Sequence, residues 1–176
     1  MELISNSNDL DENTNFSKLF KLSSINTYVD ILSSDILSGI DDIILKTIKE
    51  KYGDKCNTLG FIDKKSIKLI KRSIGTINSS FLNGSIRYNV IYSANICNPI
   101  DGTIINCKIL NINKMGILAE AAPLSIVLAR QHHIGNKEFD NISIGENHLI
   151  KIIGKRFELY DDQITIIAEL VDLDNN

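Results

Sequence analysis

NPIDGTII (98–105), NKMGI (113–117), ARQHHIGN (129–136) and KRFELYDDQITIIAEL (155–170) punctuate the stretch whose reading decides the fold, Asn98 to Leu170. Asn98-Pro99 and Asp101-Gly102 mark a turn. Strand-like residues follow over 103–112, and Lys114-Met115-Gly116 makes a tight turn into a second strand over 117–121. Pro123 begins the turn to a third strand over 124–129. Residues 130–147 are polar, hold two glycines and predict an irregular segment. A closing hairpin then spans 148–157 and 163–171 around Tyr160-Asp161-Asp162.

Working outward toward the N-terminus, residues 85–96 alternate apolar and polar side chains, which predicts a long strand. Asn83-Gly84 before it is a hairpin signal. Residues 66–76 suit a strand better than a helix, because Ile67 and Leu69 alternate with Lys68 and Gly75 interrupts. A further strand is expected over 56–62, with a turn at Asp63-Lys64-Lys65. Ser33-Ser34-Asp35 reads as a helix start. Apolar residues at Ile36, Leu37, Ile40, Ile43, Ile44 and Ile48 then line one helical face, with Asp41 and Asp42 early and Lys46, Lys49 and Lys51 late, as the helix dipole favours. Gly53 is the expected stop. Residues 20–32 read as a strand, and the acidic, Asn-rich residues 1–15 as a flexible tail.

The sum is an α+β unit over residues 16–97, one helix on an antiparallel sheet, followed over 98–176 by five strands in the order of a small OB barrel. Gly84, Gly102 and Gly116 read as turn residues that need unusual φ.

The chain has 176 residues, 43% hydrophobic and 23% charged, which is the balance of an ordinary folded protein. No apolar run is long enough to span a membrane. The formal charge of −3 argues against a dedicated nucleic-acid binder, so RNA affinity must come from a local patch and be weak. Cys56, Cys97 and Cys107 are too widely spaced for a zinc or disulfide framework. Cys97 and Cys107, in strand-like surroundings, read as small hydrophobes, which implies a reducing, intracellular compartment.

The quoted motifs, together with the single-helix unit before them, resemble the stalk subunit of DNA-dependent RNA polymerase over residues 20–172. That subunit is the seventh in the eukaryotic scheme and the E subunit in archaea, and the likeness is to versions encoded by large cytoplasmic DNA viruses. The resemblance implies an N-terminal tip that docks on the polymerase core and an S1-type OB barrel that guides exiting, single-stranded RNA. It also implies a small helical partner subunit in cellular versions, no cofactor, no catalysis of its own and, for a viral protein, the host cytoplasm and the virion as its setting. The alternative class is a free-standing S1-type RNA-binding module in translation or RNA turnover.

Two basic groups carry the expected contacts. Lys64, Lys65, Lys68, Lys71 and Arg72 form the densest cluster and suit partner binding. Lys114, Arg130, His132, His133, Lys155 and Arg156 border the expected ligand face of the barrel, with cations on phosphates. Phe157 is the aromatic expected on the fourth barrel strand. Strands two and three hold no aromatic, so stacking of about 1–3 kcal/mol per base is largely missing. A metal site at His132-His133 with Asp140 or His148 is disfavoured, since adjacent residues of a strand point to opposite faces. No phosphate loop, nucleophile elbow or paired-acid motif is present.

Overall fold

The computed structural model describes residues 19–77 and 84–171. Residues 1–15, Asn83 of the expected hairpin turn and the side chain of Leu37 lie outside the described residues.

Two long strands, β1 (Phe20–Leu32) and β6 (Ser85–Cys97), pair antiparallel along their whole length. The register places Ile25, Thr27, Val29 and Ile31 opposite Tyr92, Val90, Tyr88 and Ile86, all on one face. On that face lies α1 (Ile40–Tyr52), which buries Ile44 and Ile48 completely. Each such side chain contributes about 1.5–3 kcal/mol by leaving water. Tyr52 stacks on Tyr92 with ring centroids 6.5 Å apart. The helix begins later than its hydroxyl signal suggested. Residues Ser33–Ser38 form a 3-10 turn, Gly39 at φ +99° breaks the chain direction, and only then does α1 start. Ser34 spends its hydroxyl on the Asp35 carboxylate and caps nothing. Gly53 does end the helix, but in extended backbone. It is needed there for space, because a Cβ would lie 2.5 Å from the Lys49 carbonyl oxygen and 2.6 Å from Lys64 Cγ.

The single strand expected over 56–62 is a hairpin of two short strands, β2 (Lys55–Asn57) and β3 (Gly60–Ile62). Asn57 makes it, its Oδ1 accepting from the amides of Leu59 (2.7 Å) and Gly60 (3.0 Å). Next come β4 (Lys68–Arg72) and β5 (Thr76–Ile77), and β3, β4 and β5 pair in turn with the free edge of β6. The sheet is therefore six-stranded, with β6 at its centre.

The chain then enters a closed barrel of β7 (Ile104–Asn113), β8 (Gly116–Ala121), β9 (Leu124–Ala129), β10 (Asn147–Arg156) and β11 (Ile164–Leu170). Its circular order is β7-β8-β9-β11-β10, and the β9–β11 pair is parallel while the others are antiparallel. That order with one parallel seam is the OB type. Ile105, Ile109, Ile117, Leu124, Ile126, Leu128, Ile150, Ile164 and Ile166 fill the interior.

The barrel core does not stop at its own strands. Leu19, Cys56, Phe61 and Cys97 join the same buried cluster. The Cys56 amide donates to the Asp161 carbonyl, and the Cys56 carbonyl accepts from the Tyr160 amide, both at 2.8 Å. The β2–β3 hairpin is thereby fastened to the turn between β10 and β11. Tyr160 holds the left-handed φ of +72° beside this bond, a conformation that costs a non-glycine residue about 1 kcal/mol or more.

Candidate nucleic-acid and partner interfaces

The pairing register decides which of the expected site residues meet. Lys151 pairs with Ile104 at the start of β7, so Lys155 and Arg156 lie beyond that start, near the turn at 98–102. Lys114 follows the other end of β7. Gly116 pairs with Ala129, and the Arg130 amide donates to the Met115 carbonyl at 3.1 Å, so Lys114 and Arg130 share that opposite end. The expected single patch is therefore two groups at opposite ends of the barrel.

At the end near the sheet, Lys155 is not free. Its ammonium donates to Asn98 Oδ1 and, at 2.7 Å, to the Pro99 carbonyl, tying β10 to the connecting turn. Phe157 falls just past β10, half-buried and packed against the barrel core. Arg156 is exposed and pairs with Glu158 at 3.2 Å.

At the far end, residues Arg130–His133 form a 3-10 helix that opens the expected irregular segment. The tighter turn sends His132 out to solvent and His133 into the core. The Leu170 amide donates to His133 Nε2 at 3.0 Å, leaving Nδ1–H to donate to the Ala129 carbonyl at 2.8 Å. The ring stacks on Phe139 of α2 (Lys137–Asp140), with centroids 4.4 Å apart. Both nitrogens are spent, so His133 is withdrawn from any ligand or metal. Arg130 lies over the Phe139 ring and 3.5 Å from Asp140. His148 Nε2 is 3.2 Å from Glu146, whose carboxyl is held below the usual range, chiefly by the Ser143 amide. Among the described residues no group of three or more His, Cys, Asp or Glu could hold a metal ion.

The basic cluster of the sheet is also divided. A bulge between Leu69 and Lys71 shifts the alternation by one residue. Lys68 and Lys71 oppose Ser93 and Ile91 on the face away from α1, whereas Arg72 opposes Val90 on the helix face. There Arg72 pairs with Asp41 and sits over the Tyr88 ring at 5.8 Å. Lys64, Lys65, Lys68 and Lys71 remain exposed, and none has an ion pair among the described residues. Exposed Ile70 and Ile74 accompany them.

Burial raises the thiols of Cys97 and Cys107 to about 12 and that of Cys56 to about 11. All three are buried and free of disulfides, as the strand-like surroundings of Cys97 and Cys107 implied for those two.

One feature escaped the sequence. An open groove of about 880 Å³ runs over the outer face of β8 and β9, lined by Met115, Leu118, Val127 and Ile134 and rimmed by Lys114 and Arg130. Its signal was present in the strand alternation. Ile117 and Ala119 point inward, which sends Leu118 outward to meet its cross-strand partner Val127.

The chain thus joins an OB-type barrel to a helix-backed sheet. No model of a known protein family matches the chain. It is similar, at 27% identity over 161 residues, to a protein of Acanthamoeba polyphaga mimivirus described as "Putative DNA-directed RNA polymerase subunit". The alignment spans 84% of this chain and 80% of the relative. That agrees with the resemblance read from the residues, both in polymerase membership and in viral source.

Proposed function

We propose that the protein is a non-catalytic stalk subunit of a viral-type DNA-directed RNA polymerase. Residues 16–97 act as the tip that docks on the other polymerase subunits, and the barrel over 98–176 guides exiting single-stranded RNA during transcription. The observation that carries this reading is the extent of the polymerase-subunit similarity, 84% of the chain, which requires that it include residues of both the sheet and the barrel. Lys64, Lys65, Lys68 and Lys71, without ion pairs among the described residues, supply a basic surface for an acidic partner. Lys114 and Arg130 supply cations at the outer end of the barrel, with His132 exposed beside them. With no aromatic on β8 or β9, RNA is held by charge, weakly and in a salt-dependent way. The setting is a reducing compartment, the host cytoplasm and the virion, without a membrane.

Tagged protein expressed with the polymerase is expected to purify together with its large catalytic subunits. Absence of those subunits from the purified material would refute the docking role. Salt-sensitive RNA binding by the isolated protein without polymerase association would favour the free-standing module instead.

A further inference from the structure

The groove over β8 and β9 is built to stay open. Met115, 85% exposed, is held out by a turn in which Asn113 Oδ1 accepts from the amides of Met115 (2.8 Å) and Gly116 (2.9 Å). Ile134, also 85% exposed, follows the 3-10 helix that His133 anchors through Ala129 and Leu170. Between these two apolar posts the floor is Leu118 and Val127, direct cross-strand partners that are each about one-third exposed. The rest of the lining is Asn111, Asn113, Gln131, Gly116, Ile117, Ala129 and the cations Lys114 and Arg130, with no carboxylate.

This chemistry discriminates between kinds of polymer. A nucleic-acid base needs a flat ring to stack on, and the floor offers branched aliphatic side chains only. Aliphatic side chains of another polypeptide fit such a floor, and Lys114, which has no ion pair among the described residues, favours a carboxylate beside them, whereas Arg130 already faces Asp140 at 3.5 Å. We propose that the groove is a docking slot for a short segment of a partner protein that carries apolar side chains flanked by Asp or Glu. This proposal does not depend on the stalk reading. It adds that such a segment and RNA compete for Lys114 and Arg130.

The test uses the full chain and a random-peptide display library, followed by fluorescence polarisation of enriched peptides. Expected are acid-flanked apolar peptides whose affinity falls about tenfold or more in the double variant Met115→Asp/Ile134→Asp. Affinity should also fall in Lys114→Glu, and stay unchanged in Ile74→Asp, an equally exposed site on the sheet. Oligouridine binding should be insensitive to the Met115→Asp/Ile134→Asp change apart from added charge, which Met115→Ser/Ile134→Ser controls for. The proposal is overturned if the library yields no binder that responds to the groove variants. It is equally overturned if oligouridine loses affinity in the Ser double variant, which would assign the floor to bases.

Discussion

His133 accepts the backbone amide hydrogen of Leu170 at 3.0 Å, a link between the 3-10 helix after β9 and the last residue of β11. The bond is buried, so its loss leaves an amide with no water to replace the ring. His133→Ala is expected to cost about 2–4 kcal/mol, from the orphaned amide plus the cavity beside Phe139. His132→Ala, at an exposed site one residue away, should change stability by less than about 0.5 kcal/mol. Urea denaturation of the two variants checks the contrast.

Arg72 and its lysine neighbours should separate by readout. Arg72→Ala removes the pair with Asp41 and the contact over Tyr88, and is expected to lower stability by about 0.5–1 kcal/mol while leaving polymerase association intact. Lys68→Glu/Lys71→Glu should leave the denaturation midpoint nearly unmoved and lower the salt concentration at which the protein elutes from its partners. If Arg72→Ala releases the partner as readily as the lysine changes do, the face assignment set by the bulge is wrong.

Gly116 faces a carbonyl. A Cβ there would lie 2.2 Å from the Leu128 oxygen, a backbone atom that cannot rotate aside. Gly116→Ala is expected to cost at least about 2 kcal/mol and to disturb the groove with it. Gly102→Ala meets no atom within 4 Å and should cost only the strain of its positive φ, about 1 kcal/mol. Thermal melts of both variants decide whether space or conformation dominates.

The thiols give a pH dependence. An unfolded cysteine ionises near about 8.5, whereas in the folded protein Cys56 is raised to about 11 and Cys97 and Cys107 to about 12. Between those values the unfolded chain has lost protons that the folded one keeps, so stability falls as pH rises. Below about pH 8 both states hold the protons and the thiols contribute no slope. Denaturant midpoints are expected to drop from pH 8.5 toward 11, and less steeply when Cys97 and Cys107 are replaced by Ala. At pH 8 the native thiols should resist an aromatic disulfide reagent that labels all three in denaturant.

Much of the barrel is written in period two. Strand 124–129 was legible to the residue, and β7, β8, β10 and β11 to within one, because inward Ile and Leu alternate with polar residues there. Period two cannot encode a bulge, so nothing local revealed that Ile70 inserts and turns Arg72 toward α1. Ser33-Ser34-Asp35 is a sound cap by composition, yet Gly39 overrides it, since its backbone direction is set by how α1 must lie on the sheet. The fate of Lys155 depended on a loop brought close only by barrel closure, and that of His133 on an amide 37 residues away. Charge and ring count alone described neither.

The joint between sheet and barrel combines main-chain bonds with a shared core. Cys56 meets Tyr160 and Asp161 through amides and carbonyls, which every residue but proline carries in full. The bonds themselves tolerate many side chains, but the buried site of Cys56 and the left-handed φ of Tyr160 restrict what can stand there. A proline at Cys56 or at Tyr160 would remove one of the two amide donors and loosen the joint from the main-chain side.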